Sequence, residues 1–100
     1  MEFHHRNDQS IKSLVEIAQL GHYPMFEPEW LLEILQDKKK LTGNEKAKAK
    51  TLFKSLVKHR SIDRKKTVIH SMDINDRTIL VKAFMKMVEN KVLDNRPELQ

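Results

Sequence analysis

"NEKAKAKTLFKSLVKHR", residues 44–60, places Lys46, Lys50, Lys54 and Lys58 four apart, with Ala49, Leu52, Phe53, Leu56 and Val57 between them. Apolar residues at i, i+3, i+4 and i+7 line one face of a helix. At about 100° per residue, the lysines drift round the axis by about 40° per step and flank that stripe. Thr42 and Glu45 stand three apart ahead of the run, the spacing of a capping box in which each side chain satisfies the other's free N–H. The stretch predicts a helix over 43–60 with an apolar side for a core and a wet side rich in lysine.

Working outward, the same reading yields a small all-α, single-domain bundle of four to five helices. A first helix over about 8–20 carries Ile11, Leu14, Val15 and Ala18 on one face, with Asn7 or Asp8 as cap and Gly21 as terminator. An apolar link, "HYPMFEP" (22–28), leads to a second helix over 28–39. Pro28 suits its first position, Trp30, Leu31, Ile34 and Leu35 are its expected core residues, and Lys38, Lys39 and Lys40 complement the dipole at its end. A short helix over 63–71 is held by Ile62, Val68, Ile69 and Met72. The last runs over 76–92 behind an Asn75 cap and an Ile74/Ile79 hydrophobic staple, burying Leu80, Ala83, Phe84, Met87 and Val88. Residues 1–7 are expected to be a flexible end, 8–93 the helical domain, and 94–100 a polar tail that Pro97 keeps from extending the helix.

Bulk composition agrees. One hundred residues suffice for one domain with a modest core. Two glycines and three prolines are too few turn formers for an all-β chain. No cysteine is present, so disulfides and thiolate-ligated metals are excluded. The opening residues lack the apolar run of a signal peptide, and no stretch approaches the roughly 18–20 apolar residues of a membrane span. The expected setting is therefore intracellular and cytoplasmic.

No catalytic constellation is legible: no glycine-rich phosphate loop, no GxSxG, no HExxH. Neither an enzyme, a cofactor nor a metal is expected. The five histidines are His4, His5, His22, His59 and His70. The first two adjoin in an end segment, and a zinc site needs more ligands than two. His59 and His70 are expected near helix C-termini, where the dipole favours a cation. "DKKKLTGNEKAK" (37–48) fails as a calcium loop because lysines and Leu41 occupy ligand positions.

The net charge is +5, which favours anionic partners where it is segregated. Lys46, Lys50, Lys54, Lys58, Arg60, Arg64, Lys65 and Lys66 are the candidates for phosphate contact. Base recognition needs Arg, Asn or Gln aimed into a groove or aromatics for stacking, whereas the run on the third helix is nearly all lysine and Trp30, Phe53 and Phe84 fall on core stripes. "DRKKTVIHSMDINDRTILVKAF" (63–84) has rough helix-turn-helix proportions, although Asp76 stands where a phosphate would approach. Tyr23, Met25, Phe26, Val81 and Met85 fall off the core stripes and form a candidate apolar patch for a protein partner. A small non-enzymatic module acting by macromolecular binding follows. A protein-binding regulator, inhibitor or adaptor is the first expectation, nucleic-acid binding through phosphates the alternative, and a homodimer would satisfy the same patch.

Overall fold

Ser10 starts the first helix. Its backbone is extended and its hydroxyl oxygen accepts from the Ser13 N–H at 3.1 Å, so helix α1 spans Ile11–Ala18. The computed structural model describes residues 10–37 and 39–94. Asn7 and Asp8, His4 and His5, Lys38, and the two expected end segments (apart from residue 94) lie outside the described residues. Gly21 ends α1 at φ +91°, where the Gly21 and His22 N–H groups donate back to the Ala18 and Ile17 carbonyls. This pair of bonds is a Schellman motif, and its left-handed residue is the glycine anticipated from sequence.

Helix α2, Pro28–Gln36, has proline in its first turn. It stops three residues before the expected 39 because Asp37 is extended and its carboxylate accepts the Lys39 N–H at 3.0 Å. Lys39 and Lys40 therefore lie in the following link rather than on the helix end. Helix α3, Gly43–Val57, forms behind the complete Thr42/Glu45 capping box. Helix α4, Ile62–Ser71, is capped by the Ser61 hydroxyl. Helix α5, Ile74–Asp94, is the longest. Its cap is Asp73, whose carboxylate accepts the Asp76 N–H at 2.8 Å. Asn75 is thus inside the helix, and the Ile74/Ile79 staple does not form: Ile74 is exposed while Ile79 is core.

The topology centres on α5, which packs against α1, α2 and α3, while α4 packs on α3. Ile79, Leu80 and Val81 are all buried. Three consecutive helical residues sweep about 200° of the helix surface, so α5 is covered on more than one side. The link between α1 and α2 supplies part of that cover. Phe26 meets Phe84 edge-on at 5.2 Å between centroids, and Tyr23 meets the same ring at 6.3 Å. Trp30 of α2 is clasped between His70 of α4, 5.1 Å away, and the Arg77 guanidinium of α5, 4.5 Å above its ring. The His70 Nε2 also stands 3.5 Å from the Glu27 carboxylate.

Two expected core positions face water. Leu35 and Val57 are exposed, while Leu31, Ile34 and Phe53 are half-buried. Helices α2 and α3 each bury a narrower stripe than their apolar content suggests, because each has α5 on one side only. The helix-turn-helix reading also fails. Only Met72 and Asp73 separate α4 from α5, and the helix that would enter a groove is the wrapped one. No helix among the described residues is long and apolar enough to cross a membrane.

Candidate polyanion face and lysine-lined cleft

Helix α3 turns Ala49, Leu52 and Leu56 into the core. That register leaves Lys46, Lys50, Lys54 and Lys58 exposed. The four span about 18 Å along the axis at 1.5 Å per residue. Among the described residues no carboxylate pairs with any of them. Lys48, farther round, is the lysine of α3 that meets an acid, with its Nζ 3.7 Å from Asp76. Arg60 in the turn and Arg64 in the first turn of α4 are exposed, and Lys66 is half-buried.

Lys65 does not belong to this surface. It is 1% exposed, and its ammonium donates to the backbone carbonyls of His59 and, at 3.2 Å, Arg60. These carbonyls follow the C-terminus of α3, where free acceptors and the negative end of the dipole both favour a cation. The cation expected there as His59 is therefore supplied by Lys65. The register held the signal: Ile62, Val68, Ile69 and Met72 together centre the apolar stripe of α4 close to the angle of Lys65, with Lys66 about 100° to one side.

The apolar patch is corrected too. Met25, Phe26 and Val81 are core, and Tyr23 and Met85 are half-buried against it. Val81 stands off the single stripe read from sequence, yet it is buried because α5 has several neighbours. The large apolar side chains that do remain outside include Leu32 and Leu35, one turn apart on α2, together with Leu20 and Ile74.

A cleft of about 510 Å³ opens where the α2–α3 link crosses α5. Lys82, Met85, Lys86 and Glu89 line it from α5, at the i, i+3, i+4, i+7 spacing of one helix face. Asp37, Lys39 and Lys40 enter from the link and Lys46 from α3. Lys82 is held by the Asp37 carboxylate at 2.8 Å and donates to the Lys39 carbonyl at 3.2 Å. Lys86 reaches Glu89 at 3.1 Å. Sequence reading missed this grouping because its members come from three separated segments. The one local trace was the pair Lys82 and Lys86, four apart with Met85 between.

The hydrogen bond from Lys82, aided by the Lys39 N–H, holds the Asp37 carboxyl below its ordinary value. A carboxylate whose folded-state pKa is lowered adds stability above its ordinary pKa and loses it as pH falls through the lowered value. Lys82→Met should therefore raise the Asp37 titration towards its ordinary range, with the Lys39 N–H still holding it down in part, as followed by carboxyl-carbon NMR. An unchanged titration in that variant would mean that Lys82 is not the cause.

No family model, curated protein or solved structure matches the chain.

Proposed function

We propose that this chain is a small, non-enzymatic binding module whose partner is a nucleic acid, held by its phosphates on the lysine face of α3. The observation that carries this is the exposure of Lys46, Lys50, Lys54 and Lys58 in one run with no carboxylate paired to them among the described residues. Arg60 and Arg64 extend the charge beyond the end of the helix. Lysine ammonium groups act as point charges rather than bidentate forks, so the binding neutralises phosphates without reading bases. Non-specific binding of this kind has a Kd of roughly 10⁻⁴–10⁻⁶ M at physiological salt.

The test is a salt series with a random-sequence DNA duplex and an RNA of similar length, for the native chain and for the variant Lys50→Gln, Lys54→Gln, Lys58→Gln, Arg64→Gln. Lys65 stays untouched because it is part of the core. Each phosphate contact contributes about −0.9 to the slope of log K against log salt on duplex DNA. With four contacts removed, the variant should flatten that slope by about 3.6 and weaken binding at every salt. Absence of micromolar binding at low salt would make these lysines only a solvated helix face.

A protein partner is the second reading. It rests now on Leu32 and Leu35, 58% and 61% exposed, rather than on the residues first expected. A second copy of the chain would cover the same side of α2, and sedimentation of Leu32→Ser, Leu35→Ser beside the native chain separates that case.

A further inference from the structure

We propose that the cleft between the α2–α3 link and α5 is a binding site for a small organic phosphate whose organic part is aromatic or apolar. It is distinct from the outer face of α3, sharing only Lys46 with it.

Charge comes first. Among the described residues, five lysines and two carboxylates line the cleft. Asp37 is taken up by Lys82 and Glu89 by Lys86. This leaves the ammonium groups of Lys39, Lys40 and Lys46 without an ion-paired carboxylate among the described residues, although Lys39 also acts on Asp37 through space, so the described lining carries a surplus of three positive charges (five minus two). A phosphomonoester carries about −1.5 to −2 at neutral pH. It fits that surplus better than a monocarboxylate, which would leave most of the charge unanswered.

Shape and lining come second. At about 510 Å³ the cleft lies within the roughly 300–1,000 Å³ range of small-molecule sites, far larger than a lone phosphate requires. Its remaining wall is apolar: Ile34 from α2, Leu41 from the link and Met85 from α5. All three side chains are half-buried against the core. They offer a seat for an apolar group beside the lysines, and methionine adapts to flat rings.

Rigidity comes third. The Asp37–Lys82 pair and the bond from Lys82 to the Lys39 carbonyl fasten the link to α5. The backbone that presents Lys39 and Lys40 is thereby set before any ligand arrives, which lowers the ordering cost of binding. The Lys82 ammonium thus positions the link, and Lys39, Lys40 and Lys46 meet the phosphate.

The experiment is an amide-resolved NMR titration of the full chain with phenyl phosphate, inorganic phosphate and benzoate. Phenyl phosphate should saturate, with shifts centred on residues 39–41, 46 and 85–86, and bind about tenfold more tightly than either comparison ligand. Lys40→Gln with Lys46→Gln should weaken it tenfold or more. Lys54→Gln with Lys58→Gln should leave it within twofold. Met85→Ala should narrow the preference for phenyl phosphate over inorganic phosphate, and the spectra report directly whether each variant is folded. Shifts spread along Lys50, Lys54 and Lys58, equal weakening in both double variants, or no preference for the phenyl ester would each overturn the proposal. The duplex salt series varies Lys50, Lys54, Lys58 and Arg64 and leaves the cleft intact, so either proposal can fail while the other stands.

Discussion

Replacing Phe84 with alanine is expected to cost about 3–5 kcal/mol, the largest effect of any single change considered. The side chain is 1% exposed and sits on the helix that the other core elements share. Its ring is met edge-on by Phe26 and by Tyr23, and such aromatic pairs add roughly 0.5–1.5 kcal/mol each beyond the area they bury. The truncation opens a cavity bounded by two further rings, which cannot collapse without moving the link that carries them. A domain of this size has a total stability of about 5–15 kcal/mol, so Phe84→Ala removes a large fraction of it. Urea unfolding measures the loss. Leu35→Ala is the control: that side chain is exposed, so its truncation should stay within about 0.5 kcal/mol. Comparable losses at the two positions would mean that the assigned core is wrong.

Replacing Lys65 with methionine is expected to cost about 2 kcal/mol. Two effects compete. Methionine has a similar length and relieves the desolvation of a buried ammonium, which favours the variant. Against that, the carbonyls after α3 lose a charged donor, and a hydrogen bond to a charged group is worth about 1.5–3 kcal/mol. Two such acceptors lose their donor here, so the loss wins. Lys65→Ala should cost more, because it also leaves a void. A methionine variant as stable as the native chain would show that the turn between α3 and α4 does not depend on this cation.

Much of the architecture was legible in the residues because its signals are local. The Thr42/Glu45 box, the proline at the start of α2 and the glycine after α1 each act within one helical turn, and all three stand where the sequence puts them. Errors arose where a residue's fate depends on distant neighbours. Val81 lies off the main stripe of α5, and a single stripe presumes a single partner, whereas α5 has three. Leu35 and Val57 were expected inside because they are apolar and in phase, but their helices lean on α5 along narrow edges. Lys65 and Lys66 are indistinguishable by type and lie equally far from the midline of Ile62 and Ile69, so only the added phase of Val68 and Met72 tells which one turns inward. For the same reason the lysine face of α3 was readable from one segment, while the cleft was not.

The wrapped helix α5 also follows every element that it holds together. As the chain leaves the ribosome, α1 to α4 emerge before the surface they are shaped to cover. Until residues 74–94 are free of the exit tunnel, Leu14, Trp30, Leu52 and Phe26 have no common neighbour to close upon. Isolated helices of 8 to 15 residues are marginal in water, so α1 to α4 gain their full order only once α5 has been made.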